Sequence, residues 1–190
     1  MRIGILALQG AFAEHAVMLE TLGTQSVLVR TSAHLDGLAG LILPGGESTT
    51  MRRLAAQGGL DAAMREFGLR RPIWGVCAGL ILLAARVQDE TPCLGLMDIT
   101  VARNAYGRQQ DSFVSDVCFD GLMHPPAYPG VFIRAPRIQE TGADVRVLAR
   151  LGDAPVALRQ GRLLATAFHP ELTADSRVHG YFLDMCAHQV

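Results

Sequence analysis

The sequence predicts an α/β fold built on a mostly parallel central sheet with helices on both faces. Three observations carry this expectation. Short apolar runs recur along the first half of the chain, bounded by Gly, Pro and Asp clusters, as buried strands require. Between several of them lie stretches whose apolar residues fall at helical spacing. Strands that alternate with helices are joined by crossovers, and crossovers give parallel neighbours with helices packed against the sheet.

In chain order, residues 2–8 read as a strand and residues 12–22 as a helix with Phe12, Ala16, Leu19 and Leu22 down one side. Residues 25–30 and 38–43 are the next strands. A glycine-rich turn, Pro44-Gly45-Gly46, then leads to Ser48, an expected N-cap for a helix starting at Thr49. A further helix covers 60–67, stopped by Gly68 and Pro72. Pro72-Ile73-Trp74 reads as the end of a buried strand, and 78–85 as a run of helix formers. Beyond Arg86, residues 97–103, 113–119, 131–134, 145–151, 156–159 and 163–168 look strand-like, and 175–188 is a closing helix. No repeat or linker interrupts the pattern, so residues 1–190 are expected to form one domain.

Composition excludes several function classes. The formal net charge of −1 gives no electrostatic basis for nucleic-acid binding. The longest stretch without polar side chains, residues 73–85, is too short to cross a bilayer, and no signal-like segment opens the sequence. Four cysteines without a Cys-x-x-Cys pair or zinc spacing point to a reducing cytoplasm and to no metal site. All 17 basic residues are arginine. Carbonyl chemistry through a lysine Schiff base is therefore impossible on this chain. Base composition of the gene is the commoner cause of such a bias, but the chemical consequence is the same.

The residues that carry chemistry begin with Gly75-Val76-Cys77-Ala78-Gly79 at a strand-to-helix junction. Small residues two before and two after allow a tight turn that exposes the central side chain, and the helix N-terminus favours negative charge on its sulfur. A buried core cysteine between glycines is the alternative. A nucleophilic cysteine needs a base and the base an orienting group. His169-Pro170-Glu171 follows the strand-like run 163–168, and in extended chain the i and i+2 side chains share a side, so Glu171 can reach the imidazole. His34-Leu35-Asp36 has the same spacing, but no convincing strand leads into it. The loop Pro44-Gly45-Gly46-Glu47-Ser48 lacks the Gly-Lys-Ser of a phosphate loop, so nucleotide binding is not expected. It is either a turn feeding a capped helix or a ligand contact. An acyl transfer needs two oxyanion donors. The Ala78 amide can supply one by geometry, and Gly46 is the natural candidate for the other.

Taken together, the elbow and His169-Pro170-Glu171 resemble the Cys-His-Glu triad of class I glutamine amidotransferases. Residues 5–12, 14–15, 43–50, 103–109, 132–136 and 167–173 occur in the order that resembles the glutaminase subunits of pyridoxal 5'-phosphate synthase, over essentially the whole chain. The resemblance implies a class I glutamine amidotransferase-like fold and glutaminase activity with Cys77, His169 and Glu171 as triad. It implies glutamine contacts from Gly46, Glu47, Ser48, Arg103, Ile133 and Arg134, and no cofactor. It also implies a hetero-oligomeric complex with a lyase, the synthase subunit that receives the ammonia. The alternatives are a glutaminase serving another acceptor, such as imidazole glycerol phosphate synthase, a stand-alone cysteine hydrolase or thiol stress protein, and a regulatory binding module that kept the fold.

Overall fold

The apolar runs of the first half become parallel strands. In the computed structural model, which describes residues 1–103, 112–122 and 127–188, these are β1 (Arg2–Leu6), β2 (Gln25–Val29), β3 (Gly40–Leu43) and β4 (Ile73–Val76). β1 lies between β2 and β3, β4 flanks β3, and every pair is parallel. β12 (Leu163–Thr166) joins β4 in parallel. β11 (Ala154–Gln160) and β10 (Arg146–Leu151) extend that edge antiparallel, completing a seven-stranded sheet in the order β10-β11-β12-β4-β3-β1-β2. The expected mostly parallel sheet is present.

Among the described residues five α-helices cover it: α1 (Phe12–Thr21), α2 (Ser48–Gln57), α3 (Leu60–Gly68), α4 (Ala78–Leu83) and α5 (Arg177–Ala187). The central strand β4 sorts them, because successive strand residues point to opposite faces. Trp74 meets His15 of α1 and His179 of α5, with ring centroids 5.5 and 4.8 Å away. Its neighbours face the other way, Ile73 against Gly68 of α3 and Gly75 against Gly79 of α4. Helices therefore lie on both faces.

The remaining strands of the described residues form two small sheets. β5 (Ala84–Val87), β6 (Met97–Ala102) and β9 (Arg137–Thr141) make one, and β7 (Ser112–Cys118) pairs antiparallel with β8 (Ala127–Ile133) in the other. One cluster of buried apolar side chains runs from Ile3 and Trp74 of the main sheet to Val101, Ile138 and Phe132 of the small ones. Burial of this kind is the main stabilising term, about 1.5–3 kcal/mol for each large side chain fully removed from water.

Four local expectations are corrected. The helix expected over 78–85 stops at Leu83, and Ala84–Val87 becomes a strand. Pairing of Ala84, Arg86 and Val87 with Met97, Thr100 and Val101 outweighs a helix propensity of a few tenths of a kcal/mol per residue. β9 was not expected, since it is an edge strand with one buried residue, Ile138, and polar neighbours that read as loop. The inward stripe of α1 is centred on His15, Met18 and Leu19, so a histidine occupies a core position. Finally, the cap of α2 is Glu47, not Ser48, which is the helix's first residue. The longer carboxylate reaches back over the first turn and accepts from Thr49 N at 3.2 Å and Thr50 N at 2.7 Å. Of the motif at 103–109, residues 104–109 lie outside the described residues.

Candidate active site

Cys77 joins β4 to α4 with φ +48° and ψ −99°, a conformation that costs a non-glycine residue about 1–3 kcal/mol. The surrounding backbone holds it there. Cys77 N donates to Thr166 O of β12 at 2.8 Å, and Ile81 N donates to Cys77 O at 3.3 Å. The flanking glycines are steric requirements. A Cβ on Gly75 would lie 2.4 Å from Gly79 O, and one on Gly79 would lie 2.0 Å from Leu43 O. Both obstacles are backbone atoms, one in α4 and one in β3, and cannot swing aside. Gly79→Ala is therefore expected to destabilise the fold by about 3 kcal/mol or more, roughly 6–12 °C in melting temperature. An unchanged thermal transition would mean that the elbow does not depend on this close approach.

His169 follows β12 and is fixed at its backbone by donation to Val131 O at 2.8 Å. Pro170 opens a single 3-10 turn, Pro170–Leu172, and this turn rather than an extended strand brings Glu171 back to the imidazole. His169 Nδ1 donates to Glu171 Oε1 at 2.7 Å. The Cys77 side chain is near enough to act on the ring's charge, and both groups line the same cleft. Gly45 packs against the ring edge, where its missing Cβ would stand 2.3 Å from Cε1. Burial alone would lower the His169 pKa, but Cys77, the hydrogen bond to Glu171 and the Glu171 charge outweigh it and lift it to about 10. The ring is thus held protonated at neutral pH, ready to act as an acid.

The sulfur opens onto a cleft of about 620 Å³, the size range of small-molecule sites. Gly46, Glu47, Ser48, Cys77, Ala78, Arg103, Ile133, Arg134 and His169 all line it. Glu171 alone of the candidate residues does not, because it is buried behind His169. The cleft lies at the carboxyl ends of β1, β3, β4 and β12, where open parallel sheets bind ligands. Of the three non-glycine residues with positive φ among the described ones, Cys77 and Arg134 face this cleft. Cys77 Sγ also lies 3.8 Å from Ile133 O.

Arg103 is held at the rim by acceptors. Its guanidinium donates to Thr49 Oγ1 at 3.0 Å, to Glu47 Oε1 at 3.2 Å and to Glu90. Burial would raise the Glu47 pKa, but donation from Thr50 and Thr49 dominates and holds it at about 2. Gln9, Gly10 and Ala11, which follow β1, line the cleft as well. Gln9 Oε1 accepts from Glu47 N at 2.6 Å and Ala11 N donates to Gly45 O at 3.0 Å, so the first loop grips the loop that carries Gly46. Pro136, Ile81 and Leu172 supply apolar wall. The other thiols are different in kind. Burial pushes Cys93 up to about 11 and Cys186 up to about 12, and Cys118 is exposed on β7, away from the cleft. Among the described residues no group of His, Cys, Asp or Glu could hold a metal ion.

The pattern of the SNO glutamine amidotransferase family matches residues 5–188. The chain belongs to that family. It is 53% identical over 192 residues to the pyridoxal 5'-phosphate synthase subunit PdxT of Brevibacillus brevis, covering 97% of both chains. It is equally 53% identical to the subunit of the same name from Deinococcus radiodurans, again over 97% of both. A crystal structure of a glutamine amidotransferase superposes with a TM-score of 0.93 at 47% identity, over 97% of this chain and 98% of the other. The structure of PurLQS from Thermotoga maritima shares the fold, with a TM-score of 0.70 at 17% identity, over 96% of this chain and 97% of the other.

Proposed function

We propose that this chain hydrolyses L-glutamine to L-glutamate and ammonia through a thioester on Cys77, and passes the ammonia to a separate synthase subunit that makes pyridoxal 5'-phosphate. The observation that carries the reading is His169, hydrogen-bonded to a buried glutamate and placed beside an elbow cysteine at the wall of an open cleft. The Cys77 sulfur attacks the side-chain carboxamide carbon. The oxyanion that forms is received by the Ala78 amide and by an amide of the Gly46 loop. Protonated His169 donates to the departing nitrogen, ammonia leaves, and the thioester remains. The now neutral imidazole takes a proton from water, hydroxide adds to the thioester carbon, and the sulfur is expelled with glutamate. Glu171 holds the imidazole through Nδ1 in both half-reactions. Arg103, Arg134 and the Glu47-Ser48 pair hold the amino-acid end of glutamine, arginine being suited to its carboxylate.

Residues 1–190 act as one glutaminase domain in this reading. With no lysine in the sequence, assembly of the pyridoxal ring by imine chemistry falls to the partner in a hetero-oligomeric complex. The two relatives at 53% identity, matched over 97% of their length, are named pyridoxal 5'-phosphate synthase subunits, which favours this acceptor over imidazole glycerol phosphate synthase. The cytoplasm is the compartment we assign. Four free cysteines support it, and no described helix is long and apolar enough to cross a membrane.

The test uses the two-protein system. The loop bearing Gly46 is gripped by Gln9 and Ala11, which border the cleft mouth, so a partner seated there can bias the donor peptide between orientations. Glutamate release at saturating glutamine is expected to rise at least tenfold when the synthase partner is added, equivalent to about 1.4 kcal/mol of preference for the productive loop. Equal rates with and without it would remove the gating. No hydrolysis in either condition would remove the glutaminase reading itself.

A further inference from the structure

Behind the triad, two buried histidines stand in line with Glu171 and take no part in the reaction described above. Glu171 Oε1 is committed to His169, whereas Glu171 Oε2 has no hydrogen-bond donor among the described residues. His15 Nε2 is likewise without a partner, and it faces Glu171 Oε2 at 3.6 Å. The other nitrogen of His15 lies 2.9 Å from His179 Nε2. His15 and His179 are fully buried, and Trp74 closes over both rings edge-on while its own Nε1 donates to Thr166 Oγ1 at 3.2 Å. The Tyr128 hydroxyl donates to the Asp175 carbonyl at 2.8 Å.

We propose that His15 is a positioning residue for the glutaminase reaction, donating from Nε2 to Glu171 Oε2 so that the carboxylate, and through it His169, keeps a single orientation. Tautomer chemistry fixes the direction. A carboxylate accepts only, so the nitrogen facing it must carry the proton. A neutral His15 protonated at Nε2 has a bare Nδ1, which then accepts from His179 Nε2. The reverse tautomer would aim a lone pair at a buried carboxylate oxygen. Burial, with the nearby His179 and His169, lowers the His15 pKa well below its ordinary value, and burial lowers that of His179 to about 3, so both rings stay neutral. The line of donors thus runs one way, from His179 through His15 to Glu171, and His169 donates to the same carboxylate from the other side. At 3.6 Å the last link is a polar contact short of a hydrogen bond, and a small rotation of either group closes it. Catalytic hydrogen bonds commonly shorten in this way when substrate is bound. Without this donor Glu171 can rotate, and a misplaced His169 costs rate rather than binding.

The inference rests on the glutaminase reading and is tested on the full chain with its synthase partner. His15→Leu retains apolar volume and removes the donor, and His15→Gln places an amide N–H near the position of Nε2. His15→Leu is expected to lower kcat by about 10- to 100-fold with KM changed less than about twofold. His15→Gln should regain most of that loss. In a Glu171→Ala background His15→Leu should cost nothing further. On the unaltered protein, long-range proton–nitrogen correlation NMR should show His15 protonated at Nε2, its signals assigned by their absence from the His15→Gln spectrum. A folded His15→Leu with full kcat, equal losses in both variants, additive losses with Glu171→Ala, or an Nδ1-protonated His15 would each overturn the assignment. The tautomer needs no turnover, so it judges His15 even if the wild-type complex hydrolyses no glutamine and the glutaminase reading fails.

Discussion

Cys77→Ala will abolish glutamine hydrolysis, with glutamate release at saturating glutamine falling by roughly four orders of magnitude or more. Alanine retains a Cβ, so it keeps the strained φ of +48° and the packing of the elbow, and the fold should survive. What is lost is the one sulfur among the described residues that lines the cleft, beside His169. No second thiol can substitute, because Cys93 and Cys186 are buried with raised pKa values and Cys118 sits outside the cleft. Alanine at those three positions should change turnover by less than about threefold, provided the protein stays folded. A complex containing Cys77→Ala should still make product when free ammonia replaces glutamine, since only ammonia supply is removed. Near-normal turnover by Cys77→Ala would sink the thioester mechanism.

The elbow was legible because its chemistry is written in local spacing. Glycine at 75 and 79 is forced by backbone atoms 2.4 and 2.0 Å from the absent methyl groups, so any sequence with this turn must show small residues there. The parallel half of the fold was legible for a similar reason, as strands buried on both faces read as apolar runs. Long-range pairing left less trace. Ala84 to Val87 carries helix-forming residues, yet becomes a strand because Met97 to Val101 lies alongside. Arg137 to Thr141 has one buried residue in five, too little for any pattern to form.

Within the site, roles that depend on a side chain's reach were the hardest to read. Ser48 is the statistically preferred cap, but Glu47 arrives one residue earlier and satisfies two amides with one carboxylate. His15 sits on the apolar stripe of its helix, where a histidine looks like a packing choice. Only the folded chain brings it to Glu171, which lies far along the sequence at the end of a different strand. Gln9 had a weaker signal. It stands where the first strand ends, and parallel sheets place their ligands at that edge.

His169→Ala should be nearly as damaging as loss of the thiol, with a decrease in kcat of about 10³- to 10⁴-fold, whereas Glu171→Gln should leave markedly more activity. The difference follows from what each group touches. In the proposed reaction His169 moves protons in both half-reactions, while Glu171 reaches the chemistry only through the imidazole Nδ1 at 2.7 Å. A glutamine there can still accept that hydrogen bond but supplies no negative charge. The double variant should therefore be no worse than His169→Ala alone, and fully additive losses would give Glu171 a separate role. The pH dependence supplies a second readout. The folded-state pKa of His169 is raised above its ordinary 6.5 to about 10, so its protonated form is favoured, and the associated stabilisation is complete below about 6.5 and lost as pH rises through about 10. Acylation, which uses that proton, should persist into alkaline solution and fail only as the pH nears 10. Because the Glu171 charge is one of the causes of the upward shift, Glu171→Gln should move the alkaline limb of kcat/KM toward neutral pH. An alkaline limb that stays in place in Glu171→Gln would show that the carboxylate does not sustain the imidazolium, and that the sulfur alone does so.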